Sequence, residues 1–418
     1  MVGRVGKKRR YASNWGMPGV IQRWREAQAA NDRLWQAVRP EALYDRAVPE
    51  RHRLIFYLGH LEAFDWYLLA PVLELEPFHP EWDQLFAFGI DPVDGQLPSD
   101  PSEAWPAVEA VRDYDREVRR RLQAGLERQG GAERAQRLEV AIEHRWMHVE
   151  TLSYLLHNLP YERKVAGPPP ATGAGGVTGM RESVAIAAGL ATLGRARGNG
   201  FGWDNEFAAH RVTVAAFGAD RRKVSNGDYL KFVAAGAAAP HFWRRRGGEW
   251  VYHGMFGEVA LPLDLPVYVT HAEASAYAAW AGQALPSEAQ WHRMAYGTPE
   301  GGERSYPWGE AAPETVAGNF DLRGWDPEAV AVGGASAWGV EDLVGNGWEW
   351  TATPFAPFPG FAPFDFYPGY SANFFDGQHF VMKGGSARTA ACLLRRSFRN
   401  WFQPHYPYVY AGFRCVSR

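Results

Sequence analysis

Glu143-His144-Arg145-Trp146-Met147-His148-Val149-Glu150 sits in a segment, Glu133 to Leu156, whose apolar residues Leu138, Ile142, Val149, Leu152 and Leu156 recur at helical spacing. An α-helix turns once per 3.6 residues, so such a stripe faces a core, and an i, i+4 pair projects two side chains from one side. His144 and His148 are that pair, and they border the stripe. An earlier helical segment places Tyr57, His60, Phe64 and Leu68 on one side by the same spacing, which puts His60 on an inward face. Antiparallel packing of the two helices would bring three imidazoles together. Three neutral nitrogen ligands leave coordination positions open, the pattern of zinc or non-haem iron sites that do chemistry. His60, His144 and His148 are therefore the candidate metal ligands. His52, His79 and His157 lack the spacing and read as surface or capping groups.

Working outward, residues 19–163 read as a four-helix bundle. Besides the two histidine-bearing helices it has one from about Gly19 to Val48 and one capped by Ser102 that carries Val108, Val111, Val118 and Leu122. Residues 1–18, with the basic run Lys7 to Arg10, read as a flexible tail. Residues 164–180, with Pro168-Pro169-Pro170 and a Gly/Ala run, have too little apolar content to pack and read as a linker. From 181 to 418 the pattern changes to short strands, turns and two amphipathic helices near Ser225 to Ala234 and Thr270 to Trp280. The fold class expected is α+β.

Composition narrows the function. The chain has 418 residues, enough for two or three domains, and its 44 basic and 47 acidic residues nearly cancel, which leaves no electrostatic footprint for nucleic acid or an anionic membrane. No apolar stretch approaches the ~20 residues that cross a bilayer, and no secretory signal is seen, so a cytoplasmic enzyme is the expectation. Only Cys392 and Cys415 occur, which excludes a disulfide scaffold and a cysteine-based zinc site. The 18 tryptophans and 45 glycines suit a loop-rich second domain pinned by large side chains.

Five phrases occur in order in the second half: Val224-Ser225-Asn226-Gly227-Asp228-Tyr229, Leu285-Pro286-Ser287-Glu288-Ala289-Gln290-Trp291, Gly345-Asn346-Gly347-Trp348-Glu349-Trp350, Lys383-Gly384-Gly385-Ser386 and Gly412-Phe413-Arg414-Cys415. They resemble the formylglycine-generating-enzyme-like, or sulfatase-modifying factor, domain of C-type-lectin-related topology. The first half resembles the DinB-like four-helix bundle, with His144-x-x-x-His148-x-Glu150 as signature. Bundle followed by lectin-like domain is the architecture of the non-haem iron enzymes that include ergothioneine sulfoxide synthases and selenoneine synthases.

That resemblance implies Fe(II) on His60, His144 and His148, dioxygen as oxidant, and hercynine, the trimethylated betaine of histidine, as acceptor, in a cleft between bundle and lectin-like domain. It implies that Tyr367 donates a proton or hydrogen atom, with Tyr370 as nearest rival, and that Asn400 and Trp401 contact hercynine, Trp401 through cation–π attraction. Tyr406, Tyr408 and Tyr410 are further cage candidates. Where many members carry glutamine this chain has Met147, which cannot donate a hydrogen bond, so Arg395, Arg396 and Arg399 are candidate partners of the acceptor carboxylate. The donor stretch Gly89 to Pro98 has no arginine, and Phe402 follows Arg399-Asn400-Trp401 where an acidic residue would hold the amine of γ-glutamylcysteine. Unpaired donor carboxylates would forfeit about 1.5–3 kcal/mol per charge-assisted bond. A selenosugar donor, giving selenoneine biosynthesis, is thus preferred over cysteine or γ-glutamylcysteine. Glu150 is turned about 200° from His148 around the helix and reads as an anchor and not a ligand.

Other classes stay in view. A formylglycine-generating oxidase needs a close cysteine pair for copper, and Cys392 has only Ser397 nearby in sequence. Cys415 reads as a small buried hydrophobe. A non-enzymatic lectin-like binding module leaves the three histidines without a role, and a zinc hydrolase or thiol transferase could use the same triad. No acidic spacing matches a calcium loop.

Overall fold

The computed structural model describes residues 17–87, 105–128, 131–170, 172–173, 182–330 and 334–417. The expected tail, the Ser102 cap and the Gly89 to Pro98 stretch lie outside the described residues. Two compact units are present: one runs to Trp35 and resumes from Pro40 to Arg145, the other comprises Gln36–Arg39 and Trp146–Arg418.

The first unit is helical, with α1 (Met17–Trp35), α2 (Leu54–Leu69), α3 (Pro80–Leu85), α4 (Val108–Arg128) and the first half of α5 (Ala132–His157). The first helix ends at Trp35, short of the expected Val48, and a 3₁₀ turn at Pro40–Tyr44 follows, because a proline disfavours helical backbone before it. Along α4 the buried Val111, Val118, Leu122 and Leu126 make the expected single stripe. The stripe expected of α2 is too narrow. Every α2 residue except Tyr67 is buried, so its polar side chains need partners inside. Glu62 accepts from Arg145 at 2.8 Å and Arg119 at 2.7 Å, and Asp65 accepts from Arg145 at 2.6 Å and the Trp24 indole at 2.7 Å. These contacts tie α2 to α5 through Arg145, to α4 through Arg119 and to α1 through Trp24.

The second unit carries α6 (Asn226–Ala234), α7 (His271–Trp280), α8 (Glu288–Tyr296) and α9 (Gly369–Ala372) among short strands. Strands β1 (Ser183–Ile186) and β4 (Phe217–Asp220) pair, as do β2 (Gly189–Leu193) and β3 (His210–Val214), while β5 (Trp243–Arg246), β6 (Glu249–His253) and β7 (Glu258–Ala260) form a meander. The largest sheet has the order β10 (Asn400–Phe402), β9 (Phe380–Lys383), β8 (Trp348–Pro354), β11 (Ala411–Gly412), with β11 parallel to β8 and the other pairs antiparallel. Helix α8 goes beyond the two helices expected. Its signal was present, a capping box in which Ser287 accepts from the Gln290 amide at 3.1 Å and Gln290 accepts from the Ser287 amide at 2.9 Å.

The sequence phrases meet in the core of this unit. Glu349 accepts from Lys223 at 2.6 Å, the Trp291 indole at 2.9 Å and Arg414 at 2.7 and 2.8 Å. Burial raises the Glu349 carboxyl, but the Arg414 and Lys223 charges outweigh it and hold it at about 2. Trp291, Glu349 and Arg414, from three of the five phrases, thus share one buried charge network, with Lys223, which precedes a fourth, as its second cation.

The boundary between the units passes through α5 and not through 164–180. Glu150, Ser153 and His157 on the second half of α5 hydrogen-bond to Ser386, Arg388 and Tyr410 of the second unit. Residues 36–39 join the same unit because Arg39 donates to the Arg163 carbonyl at 3.0 Å and Val165 to the Ala37 carbonyl at 2.9 Å.

Candidate metal centre

The triad predicted from spacing forms. His60 on α2 and His144 and His148 on α5 are 3–5% exposed, and each offers a ligand atom within 4.8 Å of the others. The His60 and His144 ring centroids are 5.6 Å apart. Phe64 stacks on His144 at 3.6 Å and Phe56 on His60 at 4.9 Å, which restricts both rings. His60 Nδ1 lies 2.6 Å from the Phe86 carbonyl. An acceptor there places the proton on Nδ1 and the lone pair on Nε2, the arrangement by which ligating histidines are oriented. Burial lowers the His60 pKa to about 4 against the raising effect of that carbonyl, so the ring is neutral and able to ligate at neutral pH. Buried and all nitrogen, the donor set fits Fe(II) or zinc.

Within the second unit a wall of aromatic side chains reaches Met147, the residue before His148. Met147, half-buried, accepts the Tyr370 hydroxyl at 3.4 Å. Tyr370 stacks on Trp203 at 3.8 Å and meets Trp401 edge-on at 5.5 Å. Tyr367 is half-buried with its ring 5.6 Å from Tyr370. Phe355 covers one face of the Trp401 indole at 4.0 Å. The Asn400 side-chain oxygen accepts from the Trp401 amide at 2.9 Å, and Phe402 stacks on Tyr406 at 5.2 Å.

Three expectations require correction. Arg399 is 2% exposed, donates to Glu288 at 3.1 Å and lies 4.0 Å over Phe358, so it is a core ion pair and not a substrate contact. Arg395 is paired with Glu206 and Arg396 with Glu303 at 3.0 Å, which withdraws them as carboxylate partners too. His52 and His157 are buried and not surface groups; His157 contacts the Tyr410 hydroxyl at 3.0 Å and the His253 carbonyl at 2.8 Å.

Sequence reasoning missed the support of α9. Ser371, next to Tyr370, donates to Asp204 and accepts from Asn205 at 3.0 Å. Burial raises the Asp204 carboxyl to about 6. The only signal was the run Trp203-Asp204-Asn205-Glu206, whose partners are more than 160 residues away in the chain. Glu150, by contrast, is an anchor as expected: it accepts from Trp348 at 2.7 Å, Ser386 at 2.5 Å and Thr389 at 2.7 Å.

Residues 172–418, more than half of the chain, match the model of the sulfatase-modifying factor enzyme 1-like domain, and that defines the class. A hercynine oxygenase of Mycolicibacterium smegmatis is 35% identical over 312 residues, covering 67% of this chain and 71% of that protein. The hercynine oxygenase of Mycobacterium tuberculosis is 39% identical over 238 residues, covering 51% of this chain and 55% of that protein. Ergothioneine biosynthesis protein 1 of Neurospora crassa is 28% identical over 506 aligned residues, covering 95% of this chain and 57% of that protein. The chain belongs to the hercynine oxygenase family built on this domain. It spans about half the length of the Mycobacterium tuberculosis and Neurospora crassa relatives.

Among the described residues no helix is long and apolar enough to cross a membrane.

Proposed function

We propose that the chain is a non-haem Fe(II), dioxygen-dependent enzyme that joins a chalcogen donor to the imidazole C2 of hercynine. The observation that carries this reading is the buried trio His60, His144 and His148 with ligand atoms within 4.8 Å of one another. Fe(II) held there supplies dioxygen activation and a common template for acceptor and donor. The names of the relatives supply the acceptor.

The chain's own residues have separate tasks in this account. His60, kept neutral by burial, offers the metal its lone pair without a proton competing for it, and His144 and His148 complete the donor set. Tyr370 takes the place of Tyr367 as the phenol that can release a proton or hydrogen atom, because its hydroxyl reaches the residue beside His148. Trp401 faces the trimethylammonium group, a contact worth about 0.5–2 kcal/mol. Asn400 offers an amide for the acceptor carboxylate. The aromatic wall excludes water, which strengthens each of these polar contacts.

The donor we favour is a selenosugar, giving selenoneine biosynthesis. Two features support a donor without carboxylates: the sequence stretch Gly89 to Pro98 holds no arginine, and Phe402 presents a stacked aromatic ring where an acidic residue would hold an amine. A second reading, ergothioneine sulfoxide synthesis from cysteine or γ-glutamylcysteine, is favoured by the names of the relatives. The deciding assay offers Fe(II)-loaded protein hercynine with each donor in air and weighs the products. A carbon–selenium adduct from the selenosugar, at higher kcat/KM than any thiol adduct, is expected. Product from γ-glutamylcysteine or cysteine alone selects the second reading, and no adduct from any donor overturns both.

A further inference from the structure

Metal–ligand distances in working sites hold to about 0.2 Å. A side-chain atom on an α-helix lies about 5–6 Å from the axis, so 0.2 Å corresponds to a rotation of only about 2°. Apolar packing does not define a helix's rotation that finely, whereas hydrogen bonds are directional. On α5, besides the bonds that Arg145 makes to Glu62 and Asp65, a row of such bonds lies on the side away from the ligands. At about 100° per residue, Glu150, Ser153 and His157 are turned roughly 140–200° from His148, and His144 is only about 40° from it.

All three back-side residues are buried and bonded within the second unit. Glu150 uses both carboxylate oxygens, Oε1 for the Trp348 indole (2.7 Å) and the Ser386 hydroxyl (2.5 Å), Oε2 for the Thr389 hydroxyl (2.7 Å). Ser153 accepts from Arg388 at 3.1 Å, and His157 contacts the Tyr410 hydroxyl at 3.0 Å. Trp348 lies on β8 and Ser386 closely follows β9, so these anchor points are carried by the largest sheet.

We infer that this polar row sets the rotation of α5 about its own axis and thereby aims His144 and His148, with Glu150 as the principal positioning residue. Glu150 touches no ligand atom; it acts through the helix. The inference rests on the metal reading above and is tested apart from turnover. Co(II) is titrated anaerobically into the full chain and into Glu150→Ala, Glu150→Gln and Thr389→Val, with the visible Co(II) bands recorded beside thermal unfolding. Glu150→Ala is expected to bind Co(II) about 10–100-fold more weakly with shifted bands, as loss of a ligand's supporting partner does. Thr389→Val should fall between, and Glu150→Gln should retain most of the affinity. If Glu150→Ala does not fold, Thr389→Val and Glu150→Gln carry the comparison. Lowered thermal midpoints with Co(II) affinity and bands unchanged would overturn the positioning role while leaving the metal reading intact. Wild-type protein that bound no Co(II) would remove both.

Discussion

The Tyr370 hydroxyl lies 3.4 Å from the Met147 sulfur, 223 residues away in sequence and one residue from His148. A thioether is a weak acceptor, so it orients the phenol without holding it strongly. Stacking on Trp203 leaves the ring little freedom. Tyr370→Phe should therefore lower adduct formation by about 10²–10⁴-fold, the usual span for a positioned proton donor. Tyr367→Phe should change it by less than about threefold on the same scale. Steady-state product assays on both variants check this, and the reverse order would return the role to Tyr367.

Arg399 separates a core residue from a substrate contact. Removing one partner of a buried ion pair costs about 3–5 kcal/mol because the other charge is stranded. Arg399→Met should accordingly lower the unfolding midpoint while leaving hercynine KM unchanged in the folded protein. Trp401→Ala should do the opposite, raising hercynine KM about 2–30-fold for a lost cation–π contact.

Glu349 is the sharpest stability test in the second unit. Its folded pKa near 2 lies below the ordinary 4.5, so its contribution is present above about pH 4.5 and is lost as pH falls toward 2. Glu349→Ala leaves Lys223 and Arg414 buried without their shared partner, and a loss of at least about 3–5 kcal/mol is expected by denaturant unfolding. A change under about 1 kcal/mol would show that the network contributes little.

What could be read from the residues alone divides along physical lines. The His144 and His148 pair was legible because both lie on one helix, where spacing dictates direction. His60 was legible as an inward position, although burial of nearly all of α2 was not, since its buried Glu62 and Asp65 look like a solvent face until Arg145 is seen inside with them. The phrases of the second half marked the fold without revealing why. The meeting of Trp291 and Arg414, from two other phrases, at Glu349 is a long-range contact that spacing does not encode. Arg399 misled for the same reason: its partner Glu288 is 111 residues distant. Tyr370 and Tyr367 stand three residues apart in a loop-rich region, and tertiary contacts of Tyr370 with Trp203 and Met147 distinguish them.

His271 offers a pH test outside the metal centre. Burial lowers its pKa to about 4, and it sits 3.2 Å from the Thr351 carbonyl and 3.8 Å from the stacked Phe380 ring. The unfolded chain takes up a proton near pH 6.5 and the folded chain only near 4, so this residue's effect is absent above about pH 6.5 and destabilises increasingly as pH falls toward 4. His271→Asn removes that share. The variant should lose about 1–2 kcal/mol less stability than wild type between pH 7 and pH 5, measured by urea unfolding. Equal losses in both proteins would mean that His271 titrates normally.

The claim on which the functional account stands is that three imidazoles hold one metal ion. Anaerobic Fe(II) titration of the full chain, followed by metal analysis after gel filtration, measures it directly. The account predicts about one Fe(II) per chain for wild type and at least about a hundredfold weaker binding when His60, His144 or His148 is replaced singly by alanine, a greater loss than removing a supporting partner causes. Stoichiometric Fe(II) retained by all three alanine variants would contradict it.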